Sequence, residues 1–122
     1  MKHYRSISGA SLVMSALLLR AAEPVDFVKD IKPILEIACV KCHTAERHKG
    51  ELRLDTKAGA FKGGEKGEVI VAGKPDKSPL YTSTILPRDH DDVMPPKKEG
   101  PLTKAQSELL RSWIEQGAAW PE

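Results

Sequence analysis

The 122-residue sequence has few cysteines and few aromatic residues, and both shortages restrict what it can be. Two cysteines exclude a fold that is held together by several disulfide bonds. Two Phe, two Tyr and two Trp give little material for a hydrophobic core. A chain this short also excludes a large barrel or a doubly wound sheet as the scaffold. We therefore expect one small domain that depends on a cofactor, a metal or a disulfide for support.

The part of the sequence from Glu23 onward also lacks an excess of positive charge. The formal net charge of the whole sequence is +2. Three of the 19 Lys and Arg residues precede Glu23, whereas all 17 acidic residues lie at or after it, so the remainder has a net charge of −1. A nucleic-acid-binding domain would carry a basic surface, and this balance argues against one.

Residues 1–22 have the pattern of a secretory signal peptide. Lys2 and Arg5 supply a positive start, and a mainly apolar stretch over residues 7–19 follows. That stretch is shorter than the roughly 20 residues that span a bilayer as a helix. We predict a signal peptide over residues 1–22 and a domain over residues 23–122 that is periplasmic or otherwise exported. An uncleaved leader would instead attach the chain to a membrane.

Hydrophobic spacing predicts helices at both ends of this domain. Residues 25–38 have helical periodicity, with Asp26 as the N-cap and either a kink or a new helix near Pro33. The last helix is predicted to begin at Thr103 and to stop at Gly117.

The middle of the domain has weaker signals. Alternating apolar residues over 49–55 and 68–73 predict a short two-stranded sheet. Residues 56–61 and 77–86 are predicted to form short helical segments. Residues 89–101 are rich in acids and prolines, which favours irregular structure.

Both cysteines fall within one pentapeptide, C-V-K-C-H, as Cys39, Cys42 and His43. This is the spacing of a c-type haem attachment site. Two thiols three positions apart can each add to one vinyl group of the same porphyrin, and the adjacent imidazole can reach the iron. The motif therefore predicts one covalent haem c, which would also fill the core of a domain that is poor in aromatics.

Three other interpretations of the cysteines remain: a disulfide, a thioredoxin-like redox pair and a zinc site. A redox pair of that kind follows a strand, and the predicted helix before Cys39 argues against it. A zinc site would need a second pair of ligands, for which the sequence has no matching motif.

Met94 is the best candidate for the second axial ligand of the iron. It is the one methionine that follows the predicted signal peptide, and it lies in the stiff segment V-M-P-P. His90 and His48 are the competing candidates, and either would make the site bis-histidine. Both lie among charged neighbours, as surface histidines usually do.

Several segments together resemble the planctomycete-type cytochrome c family, within the class I cytochromes c. Besides C-V-K-C-H, they are D-I-K-P-I-L, K-G-E-L-R-L-D-T, F-K-G-G-E, V-A-G-K-P-D-K-S, V-M-P-P and W-I-E-Q-G-A-A-W. The resemblance implies an all-α, class I cytochrome c-like domain around a covalent haem. It implies that Cys39 and Cys42 hold the haem, and that His43 and Met94 are the proximal and distal iron ligands. It also implies that Phe27 and Trp113 lie where the first and last helices cross.

The function that follows is electron transfer with a redox partner protein, not enzyme catalysis. Histidine and methionine together fill both axial positions of the iron. Lys41, Lys97 and Lys98 flank the ligand segments and are expected to lie around the haem edge. The alternative is a haem enzyme, or a gas or redox sensor, in which an axial ligand is displaced.

Overall fold

The computed structural model describes residues 23–122, so the predicted signal peptide over residues 1–22 lies outside the described residues. Within them the chain forms short helices and turns and no β-strand, as an all-α fold requires. The α-helices are α1 (Lys32–Ala38), α2 (Lys57–Lys62), α3 (Pro79–Thr82) and α4 (Lys104–Glu115). A π-helical turn spans Phe27–Ile31, and 3₁₀ turns span Lys49–Glu51, Pro75–Lys77, Ser83–Ile85 and Lys97–Glu99. No helix in residues 23–122 has the length and apolar character to cross a membrane.

The first helical segment begins and bends where its sequence predicts. The Asp26 carboxylate accepts a hydrogen bond from the Lys29 backbone N–H at 2.8 Å and so caps the π-helical turn. A new helix, α1, begins at Lys32 with Pro33 in its first turn. Proline costs little there, because the backbone N–H that it lacks has no partner in the first turn of a helix.

The last helix, α4, has the predicted ends. The Thr103 hydroxyl accepts from the Gln106 N–H at 3.1 Å, and the Gln106 side chain accepts in return from the Thr103 N–H at 2.9 Å. This reciprocal cap satisfies two backbone donors at the helix start. Gly117 follows the helix with φ at +109°, a conformation that glycine adopts without strain.

The core forms where α4 crosses the π-helical turn. Trp113 is 1% exposed, and its ring centroid lies 5.7 Å from that of Phe27, in agreement with the predicted crossing. Ile31 is completely buried in the same cluster. Gln116 ties the start of the domain to α4, because its side chain accepts from the Val25 N–H at 2.8 Å.

The predicted two-stranded sheet over residues 49–55 and 68–73 is wrong. The backbone groups of these segments form hydrogen bonds with other parts of the chain. The Leu54 N–H donates to the His43 carbonyl at 2.8 Å. The Val69 carbonyl accepts from the Leu80 N–H at 3.0 Å, and the Val71 N–H donates to Ser78 Oγ at 2.9 Å. Leu54 and Ile70 are buried in the core cluster. The alternation of apolar residues therefore reflects extended segments that cover a core without pairing with each other.

A glycine-rich loop joins α2 to the following segment and depends on Gly63. The backbone of Gly63 has φ +82° and ψ −166°, a region that only glycine occupies readily. A Cβ at this position would overlap the carbonyl oxygen of Gly67. Gly73 provides a contrast, because its φ is +79° but nothing lies within 4 Å of an added Cβ.

Gly63→Ala is expected to destabilise the protein more than Gly73→Ala. The change at Gly73 adds only backbone strain, about 1 kcal/mol. The change at Gly63 adds strain and a clash with backbone, at least about 2 kcal/mol. Urea unfolding of the haem-loaded protein measures both losses, and equal losses would show that the loop relaxes around the new methyl group.

Candidate functional site

One cavity brings the predicted site residues together. Its volume is about 610 Å³, within the range of roughly 300–1,000 Å³ that is usual for cofactor and ligand sites. Cys39, Cys42 and His43 line it from the segment after α1, and Met94 lines it from the segment before α4. Two parts of the sequence that are far apart therefore meet at a single site.

The wall of the cavity is largely apolar. Leucine and valine side chains make up much of it: Leu52, Leu54, Val69, Leu80, Leu86, Leu102 and Leu110. Several of these, such as Leu110, are buried on their other sides by the core. A wall of this kind suits a flat apolar cofactor, since it covers the ring and keeps water away from it.

The two thiols are placed by a turn that continues from α1. The backbone N–H of Cys39 donates to the Leu35 carbonyl at 2.9 Å, and the N–H groups of Cys42 and His43 both donate to the Cys39 carbonyl at 3.2 Å. Both cysteines are free thiols, and the segment that leads to them is a helix rather than a strand. Burial raises the pKa of Cys39 to about 11, so its sulfur is a neutral thiol at neutral pH.

Residues 39–98 match the family model described as Planctomycete cytochrome C. The chain carries a planctomycete-type cytochrome c domain. The match begins at the first cysteine of the attachment motif and ends beyond Met94, so it includes both segments that line the cavity. Membership of this family implies a covalently bound haem c and a role in electron transfer. No curated protein and no solved structure gives a significant match to the chain.

In the cytochrome c domain, the environment of His43 fits an iron ligand. Its Nδ1 is buried and has no hydrogen-bond partner among residues 23–122. Burial lowers the pKa of His43, an effect that the neighbouring backbone of Leu52 and Lys49 partly opposes. The ring is therefore neutral at neutral pH, which is the form of imidazole that binds metals.

The loop that carries Met94 is fixed through its backbone. The Met94 N–H donates to the Ser83 carbonyl at 3.0 Å, and the neighbours Val93 and Pro95 are both buried. The Met94 side chain is nevertheless 37% exposed, which is unusual for a large apolar residue between two buried ones. Since it lines the cavity, a cofactor there would cover it.

The two competing histidines differ in position. His90 lines the same cavity, and its Nδ1 accepts from the Asp92 N–H at 3.0 Å, which leaves Nε2 for another partner. His48 is not among the residues that line the cavity, and its Nδ1 lies 3.1 Å from the Ala45 carbonyl oxygen. His90 therefore remains the one histidine in competition with Met94 for the second axial position.

Two ion pairs cross the cytochrome c cavity at its edge, and sequence reasoning missed them. Lys41, beside the cysteines, lies 3.8 Å from Glu99, and Lys66 in the glycine-rich loop lies 3.7 Å from Asp92. All four residues line the cavity, whereas the other predicted rim residues, Lys97 and Lys98, do not. Exposed pairs like these contribute about 0–1 kcal/mol each. No sequence signal marks them, because the partners are brought together only by the fold.

Proposed function

We propose that this chain is a c-type cytochrome with one haem and that it carries electrons outside the cytoplasm. Cys39 and Cys42 hold the haem covalently, and His43 and Met94 are its axial ligands. One observation carries the proposal: the attachment motif and the V-M-P-P segment line the same cavity. The match to the cytochrome c family over both segments supports it.

Each part of the site has a distinct task in this function. When bound, the haem iron supplies one-electron redox chemistry. The two cysteines fix the ring in one orientation, and the neutral imidazole of His43 is ready to bind the metal. The Met94 thioether favours the reduced iron and so raises the reduction potential. The leucine-rich wall excludes water, so that electrons move without side reactions at the metal.

A haem enzyme or a gas or redox sensor is the second candidate function. The observation that favours it is that the protein leaves Met94 37% exposed, so that the cofactor rather than the protein would cover the ligand, and such a ligand can be displaced. Carbon monoxide separates the two functions. The reduced carrier, with both axial positions filled, is expected to keep its spectrum under carbon monoxide. A rapid and complete spectral change would favour the enzyme or the sensor.

Export and partnership with a redox protein also belong to the proposal. The leader pattern over residues 1–22 supports export, and the absence of an open axial position makes a protein, rather than a small substrate, the suitable electron partner. Haem-stained cell fractions test the location: staining is expected in the periplasmic or other exported fraction and is lost when residues 2–20 are deleted.

Met94→Ala is expected to remove the weak near-infrared absorption band that reports an iron–methionine sulfur bond in ferric cytochromes c. The reduction potential should also fall, by more than the roughly 59 mV that corresponds to tenfold in a one-electron equilibrium. Spectra and redox titrations of haem-loaded protein measure both changes.

Two histidine variants serve as controls for Met94→Ala. His48→Ala should leave the near-infrared band intact, because His48 does not line the cavity. His90→Ala should also leave it intact if Met94 is the ligand. If the wild-type protein lacks the band and His90→Ala is the variant that changes the spectrum, the axial pair is two histidines.

A further inference from the structure

Arg88 occupies an unusual place behind the Met94 loop. It is half-buried, and its Nη2 donates to the Pro96 carbonyl at 3.2 Å. Its Nη1 is buried with no hydrogen-bond partner among residues 23–122. Burying a guanidinium nitrogen is costly unless it donates a hydrogen bond, so the buried Nη1 lowers the stability of the fold.

The single bond of Arg88 connects the two sides of the ligand segment. Arg88 precedes Met94 and Pro96 follows it, so the contact closes a loop of which Met94 is part. Within residues 87–101, no other side-chain hydrogen bond joins the part before Met94 to the part after it. Arg88 is also not among the residues that line the cavity. The contact through which Arg88 can position the ligand is therefore with the backbone of the loop.

The need for such a bond follows from the way Met94 is held. On its N-terminal side, the loop is fixed by the bond from Met94 N–H to the Ser83 carbonyl and by the buried Val93. Pro95 and Pro96 have no backbone N–H, so the segment after Met94 cannot donate to the rest of the domain at those two residues. The Pro96 carbonyl accepts from the Glu99 N–H at 2.8 Å within the next turn. The Arg88 guanidinium adds a donor from the other side of Met94, and a charged donor gives a stronger bond than a neutral one.

We propose that Arg88 is a positioning residue for the axial methionine. Its guanidinium fixes the Pro96 side of the loop and so keeps the Met94 sulfur at the cavity. This inference rests on the proposed function, since it assumes that Met94 binds the iron. The bond from Arg88 then makes the site more resistant to outside ligands. A loop that opens less often leaves the iron less accessible to them.

The test measures how tightly imidazole binds to ferric, haem-loaded protein, since imidazole must displace Met94. Arg88→Met keeps the length of the side chain and removes both charge and donors. We expect it to raise the affinity for imidazole about tenfold, which corresponds to the loss of one hydrogen bond to a charged group. Arg88→Lys keeps the charge and a donor, and should recover part of the wild-type resistance.

Lys98→Met is the matched control. It removes one positive charge from the same loop, from an exposed residue that does not line the cavity. We expect it to leave the imidazole affinity within about twofold of wild type. Equal affinities for the Arg88→Met and Lys98→Met proteins would overturn the proposal. If Arg88→Met does not fold, Arg88→Gln and Arg88→Lys are compared in its place, and wild-type affinity in both would also overturn it.

The near-infrared band separates the failure of this inference from the failure of the proposed function. A wild-type protein without the band has no iron–methionine bond, and both proposals then fall. A wild-type protein with the band, together with an unchanged imidazole affinity in every Arg88 variant, overturns the role of Arg88 alone. A weaker band in Arg88→Met, along with higher imidazole affinity, supports it.

Discussion

Replacing Cys39 and Cys42 together with alanine is expected to abolish covalent haem and to leave a chain that does not melt cooperatively. Without thioether bonds, haem is lost on a denaturing gel. Without haem, the leucine-rich wall of the 610 Å³ cavity faces water, and a domain of this size has little other core to compensate. A haem-stained gel and thermal unfolding followed by circular dichroism measure the two effects.

Single cysteine variants are the control for this experiment. Cys39→Ala and Cys42→Ala each retain one thiol that can form a thioether, so each should keep some haem staining. The prediction fails if the double variant unfolds in a sharp transition close to that of the haem-loaded wild type. That result would mean that the helices alone form the core and that the cofactor adds little to it.

Trp113→Ala is expected to be among the most damaging single changes outside the haem ligands. The Trp113 ring is 1% exposed, and its Nε1–H donates to the Ala119 carbonyl at 2.9 Å. Truncation of a buried tryptophan costs about 3–5 kcal/mol, which is a large share of the 5–15 kcal/mol that stabilises a typical domain. For a domain of about this size, the melting temperature should fall by roughly 12 °C or more.

Two further variants calibrate the effect of Trp113→Ala. Ile37 is 66% exposed, so Ile37→Ala should be nearly neutral. Trp120 is half-buried and stacks on Phe27 with ring centroids 4.3 Å apart, so Trp120→Ala should cost an intermediate amount. Trp120 lies beyond Gly117 and outside α4, and this position in the sequence predicts a smaller contribution than the stacking indicates. Losses for Trp113→Ala as small as those for Ile37→Ala would show that α4 is not anchored by its tryptophan.

The parts of the fold that sequence predicts correctly depend on neighbours along the chain. The caps at Asp26 and Thr103, the new helix at Pro33 and the stop at Gly117 are all local interactions over a few residues. Such local interactions form in the same way wherever the segment lies in the molecule. For the same reason, the attachment motif could be recognised from one pentapeptide.

The parts that sequence does not predict depend on contacts between distant segments. The alternating residues around Leu54 and Ile70 fit a sheet equally well, and only the backbone hydrogen bonds that these segments make elsewhere decide otherwise. Lys66 and Asp92 are partners because the fold joins their loops. Met94 could be singled out because residues 23–122 contain no other methionine, whereas the presence of His90 in the same cavity is known only from the structure.

The contact between the two ends of the domain imposes an order on its folding. The Val25 N–H bonds to Gln116 across a separation of 91 residues, and Phe27 packs on Trp113. Among residues 23–122, α4 follows every other helix, so the aromatic partners of Phe27 are made only after the other segments that line the cavity. Leu110 completes the cavity wall from the same helix. We therefore expect the turn that carries Cys39 and Cys42 to stay open to haem attachment until α4 docks, and the docking of α4 to close the cavity around the attached cofactor.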